Sequence, residues 1–146
     1  MNKEFLELSV SEIVSVTGGI LAGSLLAIIT NKLFIIPGLF VLMPGFLEMR
    51  GNIFGSLAAR LSTGLHLGTI DKNKRFSKPI IQNTIASSIL SIIMGLILGI
   101  VAYIAINIFF KTDSTSIILV SFLAAVISTI ILIPLTIEST LWLYRH

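Results

Sequence analysis

The chain has 146 residues, of which 55% are hydrophobic and 12% charged, with a mean hydropathy of +1.02. A soluble domain carries about twice that charged fraction, so a soluble globular class is excluded and an integral membrane protein is expected. Cysteine is absent, which removes disulfides, thiolate metal sites and a cysteine nucleophile. The net charge of +3 belongs to membrane orientation rather than to nucleic acid, because basic residues of membrane proteins collect in cytoplasmic loops.

Met1–Ser11 has neither the basic start nor the cleavage site of a signal peptide and reads as a short amphipathic lead-in. The apolar blocks that follow predict an all-α integral membrane bundle of about four transmembrane helices, near 13–30, 33–67, 80–110 and 117–144. Together they form a single transmembrane domain over 1–146. Gly19, Gly23 and Ala27 on the first helix, and Gly95 and Gly99 on the third, form rows of small residues that let helices approach closely.

The loop between the second and third blocks holds Lys72, Lys74, Arg75 and Lys78 against Asp71. The positive-inside bias puts this 69–79 loop in the cytoplasm, and with four spans the N-terminus and C-terminus join it. The expected location is the cell membrane, multi-pass, with lipid as the solvent of the outer faces. Lys32 and Lys111 then lie outside, and Trp142 and Tyr144 sit at the inner interface.

The second block differs from the others. Ile36-Pro37-Gly38 and Met43-Pro44-Gly45 interrupt it, and Glu48, Arg50, Asn52, Ser56 and Arg60 follow. Proline removes a backbone donor, so a proline-broken helix is expected here. Irregular backbone and ionisable groups are tolerated at membrane depth when they border protein or a wet cavity. On a helix Glu48, Asn52, Ser56 and Arg60 share one polar stripe, with Thr63 near it and the small row Gly51, Gly55 and Ala59 beside it. The opposite face, Ile53, Leu57 and Leu61, can meet lipid or protein. A helix bordering an ion pathway would be built this way. For either arginine alone, snorkelling to the interface is an equal explanation.

The run Ile36-Pro37-Gly38-Leu39, Met43-Pro44-Gly45, Arg50-Gly51-Asn52, Leu57-Ala58-Ala59-Arg60-Leu61-Ser62-Thr63 and His66-Leu67-Gly68 resembles the membrane domain of MgtE-type divalent-cation transporters. The likeness is to half-length prokaryotic relatives of the animal solute-carrier magnesium transporters. Ala59 stands where that family usually has serine. The resemblance implies a five-helix half that pairs with a second half, with the cation pathway along their interface. It implies that Asn52 lines the pathway near a hydrated ion, Mg²⁺ being the expected cargo; Glu48, one turn before it on the polar stripe, is the accompanying pathway-lining candidate. Family members continue through a Gly-x-Asp-Pro-Asp-Asn turn into a fifth helix bearing an acidic residue. This sequence ends at Leu143-Tyr144-Arg145-His146, so a fragment is expected, with a homodimer or a partner supplying the fifth helix.

Glu138, late in the fourth block, is a secondary candidate: a carboxylate at the inner mouth, or an interfacial residue. His66 has no second ligand at metal-site spacing, and Ser128 and Thr129 are expected to bond to backbone or to pack. No catalytic residues or cofactor are expected, since no paired acids, nucleophile elbow or phosphate loop occurs. The competing function is a non-transporting membrane scaffold or assembly subunit, in which the polar stripe only joins helices.

Overall fold

The structure, a computed structural model, describes residues 3–33, 37–71 and 74–145. Ile36, Lys72 and His146, named in the sequence reading, lie outside the described residues. Among those described there are four helices and no strand: α1 (Lys3–Leu33), α2 (Pro37–His66), α3 (Lys78–Phe110) and α4 (Ser116–Arg145). α3 and α4 are long and apolar enough to cross a membrane, and α1 carries a shorter apolar stretch, Val16–Ile28. The chain is an all-helical membrane protein.

Two compact units are present, Met1–Pro37 and Gly38–His146. In the first, α1 starts at Lys3, so the amphipathic lead-in is helical and runs on into the apolar block without a break. Its hydroxyls turn back on their own helix: Thr17 donates to the Ile13 carbonyl at 2.7 Å and Ser24 to that of Ile20 at 2.8 Å. Gly19 and Gly23 have open space above them.

The second unit packs α2, α3 and α4 around two apolar clusters. Phe54, Leu57, Leu61 and Leu65 of α2 meet Ile80 of α3 and Ile133 and Leu141 of α4. Toward the other end Leu42 packs with Ala102, Ile106 and Ile117. The face of α2 that carries Ile53, Leu57 and Leu61 therefore meets protein, not lipid.

α2 begins at Pro37 and continues as helix through Pro44. Pro37 suits a helix start, where its missing donor has no partner to lose, so the first Pro-Gly pair marks a boundary rather than an interruption. At Pro44 the ladder lacks a donor, yet the helix is not unwound. The glycines after both prolines serve packing. A Cβ on Gly38 would collide with Ile106, and one on Gly45 would lie 2.9 Å from Leu98 Cδ1.

The turn after α2 is pinned by Gly68, whose φ of +70° is cheap only for glycine. Thr69 and Ile70 both donate their N–H to the Gly64 carbonyl at 3.0 Å, folding Ile70 into the core. At the other end Lys111 adopts φ 50° as the C-cap of α3, and Tyr103 donates to Asp113 Oδ1 at 3.1 Å across the turn.

α3 and α4 fit through small residues. A Cβ on Gly95 would strike that of Ala125, and one on Gly99 would lie 2.9 Å from Ser121 Cβ. Buried hydroxyls fasten the contact: Ser121 donates to the Gly95 carbonyl at 2.6 Å. Thr129 Oγ1 stands 2.8 Å from Ser91 Oγ and 2.7 Å from the Ala125 carbonyl. One O–H serves one acceptor, so the carbonyl takes the Thr129 proton and Ser91 donates to Thr129.

Candidate functional site

Four residues apart on a helix is about 6 Å of rise, so Glu48 to Arg60 covers about 18 Å, more than half of a hydrocarbon core about 30 Å thick. Glu48, Asn52, Ser56 and Arg60 are all exposed on one side of α2. The polar stripe is therefore a surface of this chain, and α3 is its neighbour. Toward Pro37, Glu48 and Asn52 line an open groove of about 340 Å³ against Leu90, Met94 and Ile97 of α3. Toward His66, Asn52, Ser56 and Arg60 line a second groove of about 210 Å³ against Ala86, Ser87 and Leu90. Asn52 borders both grooves.

Asn52 Nδ2 donates to Glu48 Oε1 at 3.4 Å, the outer limit of a hydrogen bond. That weak contact leaves the carboxylate and the amide oxygen available to a cation or its water. No group of three or more His, Asp or Glu that could cage a metal occurs among the described residues.

The structure brings Glu48, Asn52, Ser56 and Arg60 together and leaves Thr63 and Glu138 apart from them. Thr63 donates to the Ala59 carbonyl at 2.9 Å and borders neither groove. Glu138 pairs with Arg75 of the basic loop, Nη2 to Oε2 at 2.6 Å, with both side chains about half exposed. His66 Nδ1 lies 2.8 Å from the Ser62 carbonyl, so that nitrogen carries the proton, and the ring meets Tyr144 edge-on at 5.1 Å. Ser128 donates to the Ala125 carbonyl at 2.9 Å.

Arg50 belongs to a different face. Its guanidinium sits 4.7 Å above the Phe46 ring, toward Ser128 and Ile131 of α4, and its buried Nε and Nη2 have no partner among the described residues. Phe46 and Arg50 are four apart, a spacing that could have revealed the pair. Ser87, absent from the residues expected at the site, forms part of the far wall of the second groove. The signal was present: Ser87 and Ser91 extend the row of Gly95 and Gly99 at four-residue steps, and all four are buried.

Gly51 and Gly55, beside the stripe, have no atom within 4 Å of where a Cβ would stand. Charged and small residues thus share an uncovered face of α2. An exposed carboxylate and guanidinium facing lipid would be costly, so in a bilayer this face requires water or another polypeptide over it.

The family model for MgtE, a divalent cation transporter, matches residues 43–146. That span contains the entire stripe and both helices that pack with α2. No curated protein and no solved structure matches the chain.

Proposed function

Because this chain belongs to the MgtE family of divalent cation transporters, we propose that it forms half of a Mg²⁺ pathway, completed by a second copy or by a partner contributing a further helix. The observation that carries this is the exposed row of Glu48, Asn52 and Ser56, with Asn52 bordering both grooves against α3. The second half covers the row, and the open surface at Gly51 and Gly55 lets its backbone come close.

One carboxylate with an amide and a hydroxyl suits an ion that keeps most of its water. Mg²⁺ dehydrates reluctantly and is held through one or two carboxylates rather than an all-protein cage. Glu48 supplies the charge that draws the ion, and Asn52 and Ser56 exchange hydrogen bonds with its hydration shell. Arg60, about 6 Å of helix rise beyond Ser56, repels a cation and narrows the route to one that is screened or hydrated. The excess of basic residues in the 69–78 loop orients that loop, and both termini with it, toward the cytoplasm.

Uptake of Mg²⁺ into proteoliposomes that hold the complete assembly, both halves together, and are loaded with a Mg²⁺-sensitive dye tests the reading. Asn52→Leu should insert normally and lower the flux by about tenfold, a barrier change of about 1.4 kcal/mol. Unchanged flux would remove Asn52 from the pathway. A scaffold would show no flux and no thermal stabilisation by Mg²⁺, since a ligand bound only by the folded state must stabilise it.

A further inference from the structure

A groove on another face of the unit runs between α2 and α4. Its volume is about 430 Å³, and Phe46 and Arg50 of α2 meet Ala124, Ile127, Ser128 and Ile131 of α4 along it. Ile127 and Ile131 are exposed, so the groove is open. Ala124 and Ser128, four residues apart, form a small-residue row of the kind that lets a further helix approach closely.

Arg50 is the one charged residue of this lining. Its Nε and Nη2 are buried without an acceptor among the described residues, and Nη1, the remaining nitrogen, is not enclosed. The guanidinium stays 4.7 Å over the Phe46 ring, which holds it at depth instead of letting it extend to an interface. Ser128 lies 12 residues from the start of α4 and 17 from its end, about 18 Å and about 26 Å of rise. Arg50 thus stands beside the middle of a helix long and apolar enough to cross a hydrocarbon core about 30 Å thick. A cation without a counter-charge is costly there.

We infer that this groove seats a spanning helix of a partner protein, which brings a carboxylate to Arg50 Nη1. Charge complementarity selects a carboxylate, and depth selects its carrier. Lipid phosphates stay at the bilayer surface, whereas a helix can carry a side chain to the middle. One contact balances the charge of the whole guanidinium, because that charge is delocalised. This chain's own carboxylates do not fill the role. Glu4, Glu7 and Glu12 precede the apolar stretch of α1, Asp71 and Asp113 stand in loops, and Glu138 pairs with Arg75. Glu48 is two residues from Arg50, about 200° around α2, and lines the groove against α3 instead. The inference requires only that the chain lie in a bilayer, and it is independent of the α2 pathway.

The test is energy transfer in phosphatidylcholine vesicles, with a donor dye on the full chain at Thr115→Cys, an exposed position. The acceptors are synthetic helices of about 20 apolar residues with Asp, Asn or Leu at the centre. The Asp helix should bind about tenfold or more tightly than the Asn helix, the lower end of what a close charge pair gives. Arg50→Gln should erase that preference, and Arg50→Lys, which keeps the charge, should retain part of it. Equal binding of the Asp and Asn helices without a change at Arg50 would overturn the inference, as would a preference that survives Arg50→Gln. Energy transfer between copies of the chain, lost in Glu48→Gln and Arg50→Gln alike, would assign the groove to a second copy and also overturn it.

Discussion

Two rows of small and polar residues, each stepping by four along a helix, have opposite fates in this molecule. On α3 the row Ser87, Ser91, Gly95 and Gly99 is buried, most of it closed by α4 with Ser121 donating into it. On α2 the stripe Glu48, Asn52, Ser56 and Arg60, with Gly51 and Gly55 beside it, is exposed along its length. The chemistry of the rows explains the difference. Serines and glycines can satisfy one another across a dry helix contact, because a hydroxyl needs only one carbonyl. A carboxylate and a guanidinium about 18 Å apart cannot pair, so each needs water or a partner from outside.

The comparison breaks most readily at the glycines. Gly95→Leu forces a side chain into Ala125 and should destabilise the three-helix unit by about 1–3 kcal/mol or more, read as a fall in the melting temperature in detergent. Gly55→Leu, which meets open space, should leave that temperature unchanged while reducing flux. If both substitutions lowered stability equally, the two rows would be equivalent and the distinction lost.

A smaller effect sharpens the closed side. Ser121→Ala removes the donor to the Gly95 carbonyl and should cost about 0.6–1.7 kcal/mol, checked by the same melting measurement. The smallest effect belongs to the basic-loop end. Glu138→Gln breaks the pair with Arg75, but both partners are about half exposed, so the loss should stay under about 1 kcal/mol. Flux should be unaffected by it, which separates Glu138 from the stripe.

How much of this could be read from residues alone varies along the chain. α3 and α4 were plain because continuous apolar blocks admit no other structure in a membrane protein, and Pro79 and Lys111 mark the ends of α3. The register of the α2 stripe was equally plain, since helical periodicity dictates it. The fate of Ile53, Leu57 and Leu61 was not, because lipid tails and protein cores are equally apolar and hydropathy cannot tell them apart. The prolines were legible as a missing donor but not in its consequence: Pro37 opens α2, and the helical ladder continues past Pro44 without unwinding. The partner of Glu138 was hidden because Arg75 is remote in sequence, and the fold alone brings the two together.

The central claim is that the Glu48–Arg60 stripe borders water while the face behind it does not, and the absence of native cysteine makes this directly measurable. Single cysteines at Asn52, Ser56, Leu57 and Leu61 can be exposed, in proteoliposomes, to a charged thiol reagent that cannot enter lipid. The account predicts modification of Asn52→Cys and Ser56→Cys, slowed by Mg²⁺, and none of Leu57→Cys or Leu61→Cys, which are buried and border neither groove. Protection of both stripe positions would contradict it.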